Sequence, residues 1–383
     1  MTCQISIFAR LQLLFTLVFG VLPRAALRVP GAIVCAWLRK LPVGPSIWCG
    51  FAGSVMDTIP PAQLQAILPS TFDTYNAWML AHGQTPQVDV LPGKNSTRLL
   101  WLGPHKAKKV VLFFHGGGYV MPLSDGHLDW MAHVKNGAAN SGIELSVCIL
   151  EYSALDSVDG KDTTYTDGAG LVPTNPYPRQ MMQGISALKH LFASKYRPSD
   201  IVFGGDSAGG HLSLSILAHL HRRRPSEAAE SVIGQCGPVK GCFLVSPLSS
   251  LDLCTPSYKR WFSADVLSRK VVNDWGMHLV GNSPWKDEIS AGHGWGMALD
   301  VPDSWWEGLD VVQDILVTGG YEEVFSNHIE QLAEMLKRNS NGEVTLHMAN
   351  ESHDGPLMDF AAARPPSGTT NAITDFVISC FRE

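Results

Sequence analysis

The residues best placed to do chemistry lie in the stretch "IVFGGDSAGGHLSLSILAHL", Ile201 to Leu220. An apolar, strand-like run meets Gly205-Asp206-Ser207-Ala208-Gly209, and an apolar, helix-like run follows. This is G-x-S-x-G in the strand–turn–helix context that a nucleophilic serine requires. Glycines two residues before and two after Ser207 remove side chains that would collide at a sharp turn. The hydroxyl is then lifted to the carboxyl end of a sheet, where the N-terminus of the next helix directs N–H groups at it. The chemistry such a serine suits is acyl transfer through a covalent intermediate.

A serine attacking a carbonyl needs donors for the oxyanion that develops. The stretch "VVLFFHGGGYVMP", Val110 to Pro122, offers them. Its first five residues read as a strand covered on both faces. The three glycines that follow contribute no packing, so their use lies in the backbone. The N–H groups of Gly117 and Gly118, with that of Ala208 just after the nucleophile, are the expected oxyanion donors. His115 is expected to anchor this loop by hydrogen bonding.

The serine also needs a base, and the base an orienting acid, in the chain order Ser, acid, His. "DILVTGGYEEVFSNHIE" supplies a late strand, a Gly-Gly turn and two glutamates, Glu322 and Glu323, at its carboxyl end. Asp314 lies at the wrong end of that strand. "VTLHMANESHDGPLMDF" supplies the next strand and then His353 in a loop. His347, within the strand, and His328, on the following helix, are expected to be structural. The expected set is Ser207, Glu323 and His353, with Glu322 as the alternative acid.

The elements that must position these residues are legible from residue 108 onward. Strand-like runs at 109–114, 144–151, 200–204, 241–246, 314–318 and 344–349 alternate with helical patterns. Met181, Ile185, Leu188 and Phe192 share one face, as do Phe325, Ile329, Leu332 and Leu336, and Ile373, Phe376, Val377 and Cys380. The alternation predicts an α/β architecture with a mostly parallel sheet flanked by helices. Residues 153–176 read as a long surface loop. Residues 250–312 hold six tryptophans (261, 275, 285, 295, 305 and 306), expected to line or cap an apolar cavity. Residues 46–100 and 250–312 are expected to supply helical cap elements, within a body spanning 46–383.

Residues 1–45 differ. Ile5 to Pro23 carries one charge, Arg10, and a second apolar run covers Val29 to Leu38. A membrane anchor or hairpin, a cleaved signal peptide and an apolar helix packed on the body all fit. Arg24, Arg28, Arg39 and Lys40 suit a membrane interface. The endoplasmic reticulum is the expected location on the first reading, a cytoplasmic or secreted protein on the others. Sequons stand at Asn95 and Asn350; the second lies three residues before His353 and is discounted because a glycan would crowd it.

The 383 residues carry a net charge of −6, which gives no reason to expect a nucleic-acid partner. The basic run at 221–225 reads as a helix C-terminus. Eight scattered cysteines include no C-x-x-C, so no metal site is expected.

The chain resembles the hormone-sensitive-lipase-like branch of the α/β hydrolases, whose paired marks are HGGG and GDSAGG. It is most similar to fungal members related to steryl acetyl hydrolases, whose acid motif resembles "GGYEEVFSNHI" and whose histidine motif resembles "SHDGPLMDF". The resemblance covers roughly residues 105–383. It implies the α/β-hydrolase fold with a helical cap, and a cofactor-free serine esterase acting on a small lipophilic ester such as a sterol ester or a fungal secondary metabolite. Matching the E-V-F element favours Glu323 over Glu322. The Glu departs from the branch's commoner Asp, and the 153–176 loop interrupts a usual segment. The same residues would also serve an acyltransferase or amide hydrolase, and the fold is shared by ligand receptors that lack the histidine.

Overall fold

Alternate residues of the central strands face two separate apolar layers, which fixes the sheet as the middle of a sandwich. In Lys109–Phe114, Val110, Leu112 and Phe114 enter one layer, and Val111 and Phe113 the other. Period-two alternation with apolar residues on both faces is what a strand covered on both sides demands. A computed structural model describes residues 7–92, 97–105, 107–154, 175–225, 237–260 and 264–382. Most of the loop expected at 153–176, the Asn95 sequon and Trp261 lie outside them.

The strands are β1 (Gln87–Val90), β2 (Arg98–Leu102), β3 (Lys109–Phe114), β4 (Leu145–Glu151), β5 (Ile201–Asp206), β6 (Val239–Val245), β7 (Val312–Gly320) and β8 (Glu343–Ala349). Among the described residues they form one sheet in the order β1-β2-β4-β3-β5-β6-β7-β8. The β1–β2 and β2–β4 pairs are antiparallel and all others parallel. The helices are α1 (Ile7–Thr16), α2 (Leu22–Arg39), α3 (Val43–Met56), α4 (Pro61–Ile67), α5 (Thr71–Ala81), α6 (Asp125–Asn140), α7 (Arg179–Ala193), α8 (Ala208–His221), α9 (Arg269–Val280), α10 (Trp285–Ser290), α11 (Ser326–Asn339), α12 (Gly355–Ala361) and α13 (Gly368–Phe381).

One expectation needs correction. Residues 87–102 are not cap: they form β1 and β2, the antiparallel edge of the sheet. The run "RLLWL" of β2 is apolar without alternation because β1 and β4 flank it and both its faces are buried. The described tryptophans of 250–312 divide between two places, and Trp295 and Trp305 line a cavity with Arg222 and His293. Trp295, Trp305 and Trp306 pack edge to face on one another, with centroids 6.1 and 4.9 Å apart. Trp275 on α9 is set against the glycine loop.

At the N-terminus, α1 runs through a π-helical turn, Leu17–Val21, into α2, which folds back on α3. By length and composition alone, Arg10–Arg39 is apolar enough to cross a membrane. The far half of this helix is nonetheless tied to the body. The Arg28 guanidinium donates to Asp57 at 2.7 Å and to the carbonyls of Asp265 and Val266 at 3.0 and 3.1 Å. Gly53 makes room for it: a Cβ there would meet the guanidinium at 2.3 Å. Arg39 pairs with Glu322, and its carbonyl accepts from the Asn350 side chain at 3.1 Å.

Removing the Arg28 guanidinium strands a carboxylate and two carbonyls that are only partly open to water. Arg28→Met is expected to cost about 1–3 kcal/mol locally. Hydrogen exchange at the amides of 266–268 should accelerate about 5- to 100-fold; unchanged exchange would mean the guanidinium does not hold that loop.

Candidate active site

The elbow after β5 is built from close backbone approaches. A Cβ at Gly205 would meet the Phe114 carbonyl oxygen at 2.1 Å, and one at Gly209 would meet it at 1.8 Å. The two glycines therefore let the end of β3 sit against the turn. Ser207 between them has φ +50 and ψ −111, a conformation that non-glycine residues rarely adopt. Such strain persists only where its surroundings over-determine it. Here the Ser207 N–H donates to Val245 O at 2.8 Å, and its carbonyl accepts from His211 N–H at 3.0 Å.

Ser207, His353 and Glu323 are brought into one hydrogen-bonded chain. Ser207 Oγ lies 2.9 Å from His353 Nε2, and His353 Nδ1 lies 2.7 Å from Glu323 Oε2. Glu323 is fully buried, and its other oxygen accepts from Gly320 N–H at 2.6 Å and Ser246 Oγ–H at 2.8 Å. Glu322 points elsewhere, to Arg39 and to Arg260 at 3.6 Å. Burial pulls the His353 imidazole down, but Asp354 and then Glu323 outweigh it and hold it well above the usual histidine range.

Each glycine of the loop after β3 has its own steric reason. A Cβ at Gly116 would meet Asp206 Oδ2 at 2.2 Å, and one at Gly118 the Trp275 ring at 2.3 Å. Gly117 and Gly118 also have φ of +101 and +63, a region that glycine enters with the least strain. His115 is buried under this loop. Its Nδ1 lies 2.8 Å from Gly116 O, and its ring stacks on Tyr152 at 4.4 Å. Tyr152 O–H donates to His115 O at 2.6 Å. Burial, then the neighbouring His127, pushes His115 down to about 3, so it is a neutral anchor. His211 plays a similar part: it accepts from Tyr119 O–H at 2.6 Å and donates to Gly296 O at 2.6 Å. His328 is buried beside Tyr258, away from the serine, and burial lowers it.

Four contributors carried no sequence signal. Ser246, just past β6, has φ +44; its hydroxyl donates to Glu323 and accepts from Asp354 N–H at 3.2 Å. Asp265 accepts from Val324 N–H at 2.7 Å and Leu267 N–H at 3.1 Å, which steadies the turn after Glu323. Burial raises its carboxyl to about 6. Asp354 lies against His353. Arg39 engages Glu322 and so leaves only Glu323 for the imidazole. Among the described residues, no group of three or more His, Cys, Asp or Glu is arranged to hold a metal ion.

Comparison with known proteins agrees with this architecture. Residues 170–355, which include Ser207, Glu323 and His353, match a family model described as the α/β-hydrolase fold. The chain is 21% identical over 262 residues to steryl acetyl hydrolase 1 of Saccharomyces cerevisiae, covering 66% of this chain and 55% of that one. It thus spans about half the length of that relative. An esterase of the bacterial hormone-sensitive lipase family superposes with a TM-score of 0.54 at 19% identity, covering 86% of this chain and 98% of the other. A fungal esterase from Rhizomucor miehei superposes with a TM-score of 0.57 at 18% identity, over 89% and 90%. At such identities the superpositions speak for the fold alone. The chain therefore has the α/β-hydrolase fold.

Proposed function

We propose that the chain is a serine hydrolase of carboxylic esters. The observation that carries this reading is the unbroken run of contacts from Ser207 Oγ through the His353 ring to Glu323. In this reading His353 takes the Ser207 proton as the hydroxyl attacks the ester carbonyl. The N–H groups of Gly117, Gly118 and Ala208 receive the oxyanion, each contributing about 3–4 kcal/mol to the transition state. His353 then protonates the leaving alcohol and activates water against the acyl-enzyme. Glu323 keeps Nδ1 protonated and stabilises the imidazolium; its burial and three donors suit that role better than the ion-paired Glu322.

We further propose a lipophilic substrate met at a membrane. Residues 1–56 carry five cations, Arg10, Arg24, Arg28, Arg39 and Lys40, and no acid. The helices built from them expose Leu14, Phe15, Phe19, Leu27, Trp37, Trp48 and Phe51. With Arg28 and Arg39 engaged by Asp57 and Glu322, the exposed Arg10, Arg24 and Lys40 are left to attract an anionic bilayer surface that the apolar side chains could enter. The tethers at Arg28 and Arg39 favour a segment that lies along the surface over one that spans. The endoplasmic-reticulum membrane is the proposed site. A sterol acetate and an acylated secondary metabolite both fit as substrates, the first supported by the likeness to steryl acetyl hydrolase 1.

Full-length protein should hydrolyse p-nitrophenyl acetate and butyrate. Ser207→Ala and His353→Ala should each lower kcat by about 10⁴- to 10⁶-fold, and Glu323→Gln by about 10³- to 10⁴-fold. Glu322→Gln should stay within about threefold. Equal losses at Glu322 and Glu323 would overturn the assignment of the acid. A folded parent inert on every ester would favour a ligand receptor; product appearing only with an added alcohol would favour acyl transfer, and turnover of amides alone would favour an amidase. Parallel assays on an acetylated sterol and an acylated polyketide decide the substrate class.

Flotation tests the membrane reading. The protein should float with vesicles containing about 30% phosphatidylserine, and release as salt rises through about 0.5 M, because surface attraction is screened. Phe15→Ser combined with Trp37→Ser should abolish flotation. A protein that floats with no vesicle is a soluble one, cytoplasmic or secreted; one that resists alkaline extraction spans.

A further inference from the structure

The contacts from Ser207 to Glu323 leave one neighbouring carboxylate without a task. Asp354 Oδ2 lies 3.2 Å from His353 Nε2, the nitrogen that faces Ser207 Oγ at 2.9 Å. Asp354 is buried, and its Oδ1 has no hydrogen-bond partner among the described residues. Its position suggests an ordinary explanation, since it precedes α12 where an Asp side chain commonly caps a helix. The side chain makes no such bond. Its backbone is left-handed, with φ +54 and ψ +49, held by the N–H donation to Ser246 Oγ. A buried carboxylate with one oxygen unbonded, on a strained backbone, calls for another account.

We propose that Asp354 is a second carboxylate on the His353 imidazole, competing with Ser207 for Nε2 and storing the ring in its protonated, resting form. The inference rests on His353 being the base for Ser207. The ring is then flanked by Glu323 on Nδ1 and Asp354 on Nε2. An imidazolium satisfies both, but it has no lone pair with which to take the serine proton. Base competence comes when the Nε2 proton passes to Asp354 Oδ2 or is lost to water. The first route forms an O–H bond, breaks an N–H bond and leaves a neutral acid beside a neutral imidazole. A bound ester that excludes water would favour that route, because a charged pair costs more than a neutral one in a low dielectric.

The groups around the pair act in the same sense. Asp206 faces it from the end of β5, Glu323 from the loop after β7 and Asp265 from the loop before α9. Cys49 approaches from α3. Burial raises the Asp354 carboxyl above the usual carboxylate range, against the pull of His353. Where Asp354 is ionised it raises His353, in the same direction as Glu323. The sign follows: a ring held protonated to higher pH loses its function as base at a higher pH as the solution is acidified.

Asp354→Asn tests this. Asparagine keeps the shape, tolerates the left-handed backbone and retains the N–H for Ser246, but removes the charge. The acid limb of the kcat/KM profile should move down by about one pH unit or more, and relative activity at pH 6 should rise. Asp354→Gly, which relaxes the backbone and removes the carboxylate, should shift it the same way. A uniform loss with an unmoved limb in both variants would overturn the proposal, since a structural role predicts that. NMR titration of the His353 ring, in Ser207→Ala with and without Asp354→Asn, reads the same quantity without turnover. A ring titration that drops in the double variant supports the inference even if no tested ester is cleaved. An unchanged titration refutes it whatever the enzyme does.

Discussion

Much of this structure answers to a single carboxylate taken fully out of water. A buried ionised carboxylate costs several kcal/mol unless donors replace its hydration. Glu323 collects three: the His353 ring, the Ser246 hydroxyl and the Gly320 N–H. Each comes from a different neighbour in the sheet, after β8, after β6 and at the end of β7. The ends of three adjacent strands must therefore converge. That convergence explains why Gly320 has no side chain, since a Cβ there would meet Glu351 O at 2.1 Å. It also accounts for the positive φ of Ser246, whose hydroxyl must reach both Glu323 and the backbone of Asp354.

The same convergence concentrates negative charge. Asp206, Asp265, Glu323 and Asp354 are all buried near one imidazole. Each is held by donors drawn largely from the backbone or from histidine rather than from lysine or arginine. Asp206 faces His127 at 3.2 Å, and Asp265 takes two N–H groups. Donors of this kind fix position without neutralising charge. An environment so arranged favours a cation at its centre, where the His353 ring lies between Glu323 and Asp354.

How much of this could be read beforehand depended on whether the signal was local. The elbow was legible because its constraint lies within the twenty residues Ile201–Leu220: an apolar run, two glycines around a serine, and an apolar run. The glycines after β3 were legible for the same reason. Glu322 and Glu323 could not be separated on the residues alone, because both stand at the correct end of β7. What separates them is Arg39, 283 residues away in the chain. Strand β2 escaped because its leucine-rich run lacks the β-branched residues that marked Val110–Phe114 as a strand, and a short apolar run is otherwise hard to tell from helix. Ser246, Asp265 and Asp354 act through backbone N–H groups and through contacts across the fold, for which residue type and spacing offer no rule.

The tether of α2 has a consequence for the order of biosynthesis. Arg28 is made early, but the carbonyls it binds lie 237 and 238 residues later, and the partner of Arg39 lies 283 residues later. At a translation rate of about 5–20 residues per second, that interval is roughly 15–60 s. Throughout it the apolar hairpin has emerged from the ribosome with neither loop to dock on. The element at the front of the chain is thus the last to find its place, and a lipid surface or a chaperone has the better part of a minute to claim it first.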